Sequence, residues 1–239
     1  MARLQSARGS YLWLALDHGL TFGNIRGLGG LADLLAAADE VGVSGIVANR
    51  GGAAAMPPAS SAGLVLQTFG RPSLTGDSGA KVPTCRIDDA VRLAADAISI
   101  QLDLGGPGLS QAIHAISLMI SDAATCDIPT VAMVKIAKGN DPLRATADAL
   151  RISTELGVDL IKIGLPVEMD TANSDQIVAL RQAVALSAPA LLAGGERRED
   201  FTERMAAARD LGFSGACIGR SVFQDPDPES VLAAMSAVF

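Results

Sequence analysis

Residues 141–164 read DPLRATADALRISTELGVDLIKIG, and the change of period inside this stretch decides the fold. Up to Gly157 the apolar residues recur at helical spacing. Asp141-Pro142 opens the segment and Gly157 closes it, where a helix start and stop belong. The following "DLIKIG" is a short apolar run bounded by turn residues, as a buried parallel strand should be.

The same alternation extends in both directions. Strand-like runs occupy residues 11–17 (YLWLALD), 45–49 (GIVAN), 63–69 (GLVLQTF), 97–103 (AISIQLD), 129–135 (PTVAMVK), 159–164 (DLIKIG), 189–194 (PALLAG) and 215–219 (GACIG). Between most of them lie Ala- and Leu-rich helical segments such as LADLLAAADEVG, DDAVRLAA and REDFTERMAAARDLG. The third unit is the weakest, since GRPSLTGDSGAKVPTC reads as a long loop before a short helix. Strand and helix alternate about eight times, which predicts βαβ units closed into a (β/α)8 TIM barrel. No linker or low-complexity segment divides the chain, so residues 1–239 are expected to form one domain.

Bulk properties narrow the function. Hydrophobic residues make up 49% of the 239 and charged residues 19%, enough apolar material for a substantial core. The net charge of −7 and the lack of a basic stripe argue against nucleic-acid binding. A small anionic substrate remains compatible with a locally positive site. No apolar run approaches the roughly 20 residues of a membrane helix. The N-terminus lacks the apolar core of a secretory signal, so a cytoplasmic protein is expected. Cys85, Cys126 and Cys217 are odd in number and far apart, which fits small buried side chains and not a disulfide framework or zinc site. With only two histidines, no His-rich metal-ligand set exists.

In a barrel of this type the active site lies at the C-terminal ends of the strands. These ends carry Asp17-His18-Gly19, Asn49-Arg50-Gly51-Gly52, Asp103-Leu104-Gly105-Gly106, Lys135, Lys162, Gly194-Gly195-Glu196 and Gly219-Arg220-Ser221. Side chains alternate across a strand, so Lys162 shares a face with Leu160 and Gly164, while Ile161 and Ile163 take the other. The isoleucines suit the helix-facing surface, which turns Lys162 into the barrel. Desolvation there is expected to favour the neutral amine that attacks a carbonyl. The competing reading is a lysine that reaches to the rim or pairs with a carboxylate.

Asp17 has the parity of Trp13 and Ala15 and is expected inside, to orient hydroxyls or move a proton; a loop-capping aspartate is the alternative. His18 fits a structural hydrogen bond as well as catalysis. Lys135, with the parity of Val131 and Met133, is a candidate proton donor or anion binder, or else a solvated loop lysine. Gln101 and Asp103 alternate with Ile100 and Leu102 and are expected inside, binding hydroxyls or filling a core network. Gly194, Gly195 and Gly219 permit close backbone approach at strands 7 and 8, where barrels hold phosphate, and Arg220 adds a fixed positive charge.

Taken together, ALDHG after strand 1, DLIKIG at strand 6, AGG at strand 7 and IGRSVFQDPDP at strand 8 resemble the DeoC/FbaB aldolases. The match is nearest to archaeal-type class I fructose-bisphosphate aldolases and 2-amino-3,7-dideoxy-threo-hept-6-ulosonate synthases, over nearly the whole chain. The resemblance implies a Schiff-base enzyme without metal or cofactor, acting on a phosphorylated ketone and an aldehyde and assembled as a homo-oligomer, a decamer or another ring. It assigns the Schiff-base lysine to Lys162, the active-site aspartate to Asp17, and phosphate-binding loops to Gly194, Gly195, Gly219 and Arg220.

Two positions depart from the family pattern. Relatives often carry a tyrosine at the end of strand 5, where this chain has Lys135, and its single tyrosine is Tyr11. A serine often precedes the strand-7 glycine pair, where this chain has Ala193. Three readings follow: a sugar-phosphate aldolase, an aminoheptulosonate-type synthase using aspartate semialdehyde, and a phosphosugar-binding barrel without catalysis.

Overall fold

A computed structural model describes residues 2–239 except 55, 57–59, 74–78, 140, 167, 168, 170 and 196–199. Eight parallel strands close into a barrel. They are β1 (Tyr11–Ala15), β2 (Gly45–Ala48), β3 (Gly63–Gln67), β4 (Ala97–Leu104), β5 (Thr130–Ile136), β6 (Leu160–Ile163), β7 (Ala190–Ala193) and β8 (Gly215–Ile218). Around the ring, each pairs with its sequence neighbours, and β8 returns to β1.

The long helices cover the outside: α2 (Leu31–Val41), α4 (Ile87–Arg92), α5 (Leu109–Thr125), α6 (Pro142–Glu155), α7 (Ser174–Ala185), α8 (Phe201–Leu211) and α10 (Pro228–Val238). Three short helices start at strand ends: α1 (His18–Phe22), α3 (Arg50–Ala54) and α9 (Arg220–Phe223). Among the described residues, no helix is long and apolar enough to cross a membrane.

The opening stretch behaves as its pattern dictates. The Asp141 side chain accepts a hydrogen bond from the Arg144 backbone N–H and Pro142 takes the first turn, which starts α6. Gly157 adopts φ +84, a left-handed turn that lets the chain leave the helix for β6. Strand parity also holds. Ile161 and Ile163 pack with the helices, as do Leu12 and Leu14 of β1. Trp13, Ala15, Val47, Val65, Val131, Met133, Leu160, Leu191 and Cys217 fill the interior. A turn of 3-10 helix (Ala2–Leu4) plugs the N-terminal end, where Leu4 is fully buried and its carbonyl accepts from the Trp13 indole at 2.8 Å. Gly45 leaves room for that indole, since a Cβ there would lie 2.5 Å from the ring.

Three expectations need correction. Residues 11–17 do not all form strand: β1 stops at Ala15, and Asp17 is the N-cap residue of α1. The segment after β3 is more than a loop, because Phe69–Gly70 pairs antiparallel with Val82–Pro83 in a hairpin over the barrel end. Residues 74–78 of that segment, and Glu196 after β7, lie outside the described residues. Finally, Cys85 and Cys217 are buried but Cys126 is exposed, because it sits at the C-terminal cap of α5 where the chain turns outward.

Candidate active site

Lys162 projects from the middle of β6 and is half-buried. Its backbone pairs with Met133 of β5 and Leu191 of β7, both interior positions, so its stem runs inside the barrel. Cys217, fully buried on β8, stands beside it. Burial pushes the Cys217 thiol up, and the Lys162 ammonium opposes that rise.

Asp17, His18 and Arg220 complete a polar cluster. The Asp17 carboxylate accepts from Gln67 Nε2 at 3.1 Å and lies 3.5 Å from His18 Nδ1. Asn49 Nδ2 donates to the Asp17 backbone carbonyl at 2.6 Å, fixing the turn that presents the carboxylate. His18 is wedged between aromatic rings, stacked on Phe22 at 6.4 Å and edge-on to Phe223 at 5.2 Å. The Arg220 guanidinium lies 5.7 Å from the centre of the same Phe22 ring.

Burial lowers the His18 pKa from 6.5 to about 4; Asp17 opposes this, while Lys162 and Arg220 add to it. The imidazole is therefore neutral at neutral pH. Because the unfolded chain binds the proton first, stability falls as pH drops from 6.5 towards 4. The His18 contribution to this loss is at most about 3 kcal/mol. His18→Asn should flatten that part of the profile in urea melts at pH 7 and pH 4.5; an unchanged slope would show that His18 does not cause it.

The other strand ends supply neutral polar groups and glycine. Gln67 is 2% exposed, and its Oε1 accepts from the Phe69 backbone N–H at 3.3 Å. Gln101 and Asp103 have the inward parity of fully buried Ser99. Gly194 packs against Ile218, and Gly195 adopts φ +68. A methyl group on Gly219 would lie 2.4 Å from His18 Cε1 and 2.6 Å from the Ala15 carbonyl oxygen. One of those neighbours is backbone, so Gly219→Ala should cost roughly 1–3 kcal/mol. Chemical denaturation would measure it, and wild-type stability would refute the crowding.

Two cavities border the strand ends. One of 20 Å³ is lined by Asp17, Asn49, Gln67, Gly70, Lys81 and Gln101 among others. The other, a cleft of 620 Å³ between the ends of β5 and β6, is lined by Lys135, Lys138, Pro142, Thr146, Gly164 and Pro166 among others. The larger cleft mixes inward and helix-facing positions, and Lys162 is not among its lining residues.

Asp17, His18, Lys162 and Arg220 thus come together, with Gln101 and Asp103 on the β4 side. Lys135 is exposed, two residues beyond the Met133 that pairs with Lys162. Sequence reasoning placed Asn49 at the rim without a role, and did not select Gln67, Cys217 or Lys81. The first three carry a legible signal, since each has inward parity at or near a strand end. Lys81 has none, because only the hairpin brings it to the site.

Fold and site together define an enzyme of the barrel-aldolase class. The chain belongs to the DeoC/LacD family of aldolases, whose pattern matches residues 11–225. It is 31% identical to the 2-amino-3,7-dideoxy-D-threo-hept-6-ulosonate synthase of Halobacterium salinarum, over 95% of this chain and 85% of that one. It is 28% identical to the 2-amino-4,5-dihydroxy-6-oxo-7-(phosphonooxy)heptanoate synthase of Streptomyces griseus, over 92% and 81%. A solved structure of a Schiff-base-forming fructose-1,6-bisphosphate aldolase superposes with a TM-score of 0.85 at 26% identity, covering 99% of this chain and 96% of that one.

Proposed function

We propose that this aldolase works through a Schiff base on Lys162, with a phosphorylated ketone as donor. The observation that carries the proposal is the placement of Lys162 inside the barrel, within electrostatic reach of His18 and Cys217. The neutral amine adds to the ketone carbonyl, and loss of water gives an iminium. In the cleavage direction the breaking carbon–carbon bond sends its electron pair into the iminium, forming an enamine and releasing an aldehyde. The proton leaving the substrate hydroxyl passes to a base, a role we assign to Asp17. Protonation of the enamine carbon and hydrolysis return the amine; condensation runs the same steps backwards.

Gly194, Gly195, Gly219 and Arg220 are the groups proposed to hold the donor phosphate, through close backbone approach and a fixed cation. Gln101, Asp103 and His18 line the polar side for substrate hydroxyls. Lys135, exposed at the end of β5 and lining the larger cleft, is the proposed proton donor where relatives often carry tyrosine. We place the enzyme in the cytoplasm as a homo-oligomer, checked by light scattering.

Borohydride reduction in the presence of dihydroxyacetone phosphate or related ketose phosphates tests the reading. A stable adduct should be found on Lys162 by peptide mass. Its absence with every donor, with phosphosugar binding by calorimetry, would favour a binding barrel without catalysis. A second reading, the aminoheptulosonate-type synthase, is supported by the names of the two curated relatives above. Product analysis with aspartate semialdehyde and with glyceraldehyde 3-phosphate separates it from a sugar-phosphate aldolase.

A further inference from the structure

Lys81 belongs to none of the strand-end motifs, yet its ammonium stands in the barrel mouth. Nζ donates to Gln101 Oε1 at 2.6 Å and lies 3.4 Å from Asp103 Oδ1. The side chain is only 21% exposed, and it lines the small cavity shared with Asp17, Asn49 and Gln67. A cation this enclosed is held in place by its surroundings and does not sweep through solvent.

Three contacts aim it there. The neighbouring Val82 pairs with Gly70 in the hairpin. The Thr84 backbone N–H and hydroxyl both donate to the Thr68 carbonyl, at 2.8 Å and 3.3 Å. Ala80 packs on Gly108 so closely that a Cβ on that glycine would lie 3.0 Å away. Gly70 in turn makes room for Leu20 of α1. The hairpin is thereby locked to both the β1 and the β4 sides of the mouth.

Position in the ring supplies the functional argument. Lys81 stands over β3 and β4, four strands from β7 and β8 in either direction round the closed barrel. A donor bound to Lys162 with its phosphate on the β7 and β8 loops leaves the β3–β4 side for its reaction partner. The ammonium has three N–H groups, of which two face Gln101 and Asp103. Among the described residues the third has no partner, and the 20 Å³ cavity beside it has room for one oxygen of a ligand.

We propose that Lys81 is a specificity-determining residue, the cation that holds the anionic end, carboxylate or phosphate, of the acceptor aldehyde. This rests on the Schiff-base reading of Lys162. Gln101 and Asp103 position the ammonium, and the adjacent amides and Asp17 take the acceptor hydroxyls. An anionic acceptor therefore binds with one end opposite the donor phosphate and its aldehyde carbon turned towards the barrel centre.

The test compares wild type, Lys81→Met and Lys81→Arg with three acceptors. They are aspartate semialdehyde, glyceraldehyde 3-phosphate and neutral glyceraldehyde. Lys81→Met should raise the KM of whichever charged acceptor the wild type uses by roughly tenfold to a hundredfold, as loss of a charge-assisted hydrogen bond does. The KM for glyceraldehyde should stay within about twofold, and Lys81→Arg should recover part of the loss. The charged acceptor that responds identifies carboxylate or phosphate. The borohydride adduct formed with donor alone should be equal in all three proteins, which also shows that the variants are folded. Equal losses with charged and neutral acceptors would reduce Lys81 to a hairpin anchor and overturn the proposal, as would no loss at all. A wild type that forms no adduct overturns the Schiff-base reading and this inference with it; a normal adduct with unresponsive Lys81 variants overturns this inference alone.

Discussion

Lys162→Met is expected to eliminate the borohydride-trapped adduct and to lower kcat by roughly 10⁴-fold or more, the loss seen when an enzyme's only nucleophile is removed. Methionine keeps the length and apolar character of the lysine stem. The barrel neighbours Met133, Leu191 and Cys217 are apolar or weakly polar, so the new side chain replaces a half-buried cation with a compatible thioether. Stability should therefore hold. A further readout follows from the charge itself. Lys162 is one of the groups that push the His18 pKa down, so its removal should move the His18 titration, followed by NMR, upward from about 4. A folded variant with substantial turnover would sink the assignment. A His18 titration that did not move would show that the two side chains are not neighbours.

Asp17→Asn is expected to separate Schiff-base formation from carbon–carbon bond chemistry. The asparagine carbonyl can still accept from Gln67 Nε2, which in the wild type reaches the carboxylate at 3.1 Å, so the local geometry should survive. The negative charge and the basic site are lost. General-base catalysis contributes roughly 10²–10⁴-fold, and kcat should fall within that range. The donor adduct should still be trapped by borohydride, since Lys162 is untouched. The His18 pKa should fall further, because the Asp17 carboxylate raises it in the wild type. Turnover close to wild type would return Asp17 to the role of a loop-capping residue, which its N-cap position alone would explain.

The barrel was legible because its signals are local. Period-2 parity in LIKI and YLWLA assigns helix-facing and interior side chains one residue at a time, and helical segments end at glycines such as Gly42 and Gly212 that adopt left-handed φ. Inward Lys162, Gln101 and Asp103 follow from the same rule. The end of β1 did not, because Leu16-Asp17 continues the alternation while the chain has already turned into α1. The hairpin after β3 was also illegible, since Phe69–Gly70 and Val82–Pro83 are two residues each and too short to carry a period.

The sequence by itself therefore determined the eight-unit barrel, the rim where polar and glycine residues gather and the lysine inside it. These depend on spacing along the chain. Tertiary structure alone decided the state and company of those groups. Gly219 and Phe223, at the two ends of α9, close over His18 of α1 from more than 200 residues away, bury it and hold it neutral. Asn49 and Gln67 reach Asp17 from different strands. A hairpin carries Lys81 to Gln101, 20 residues away in sequence. Such contacts join residues whose separation along the chain carries no period, so only the closed ring of strands brings them within hydrogen-bonding distance.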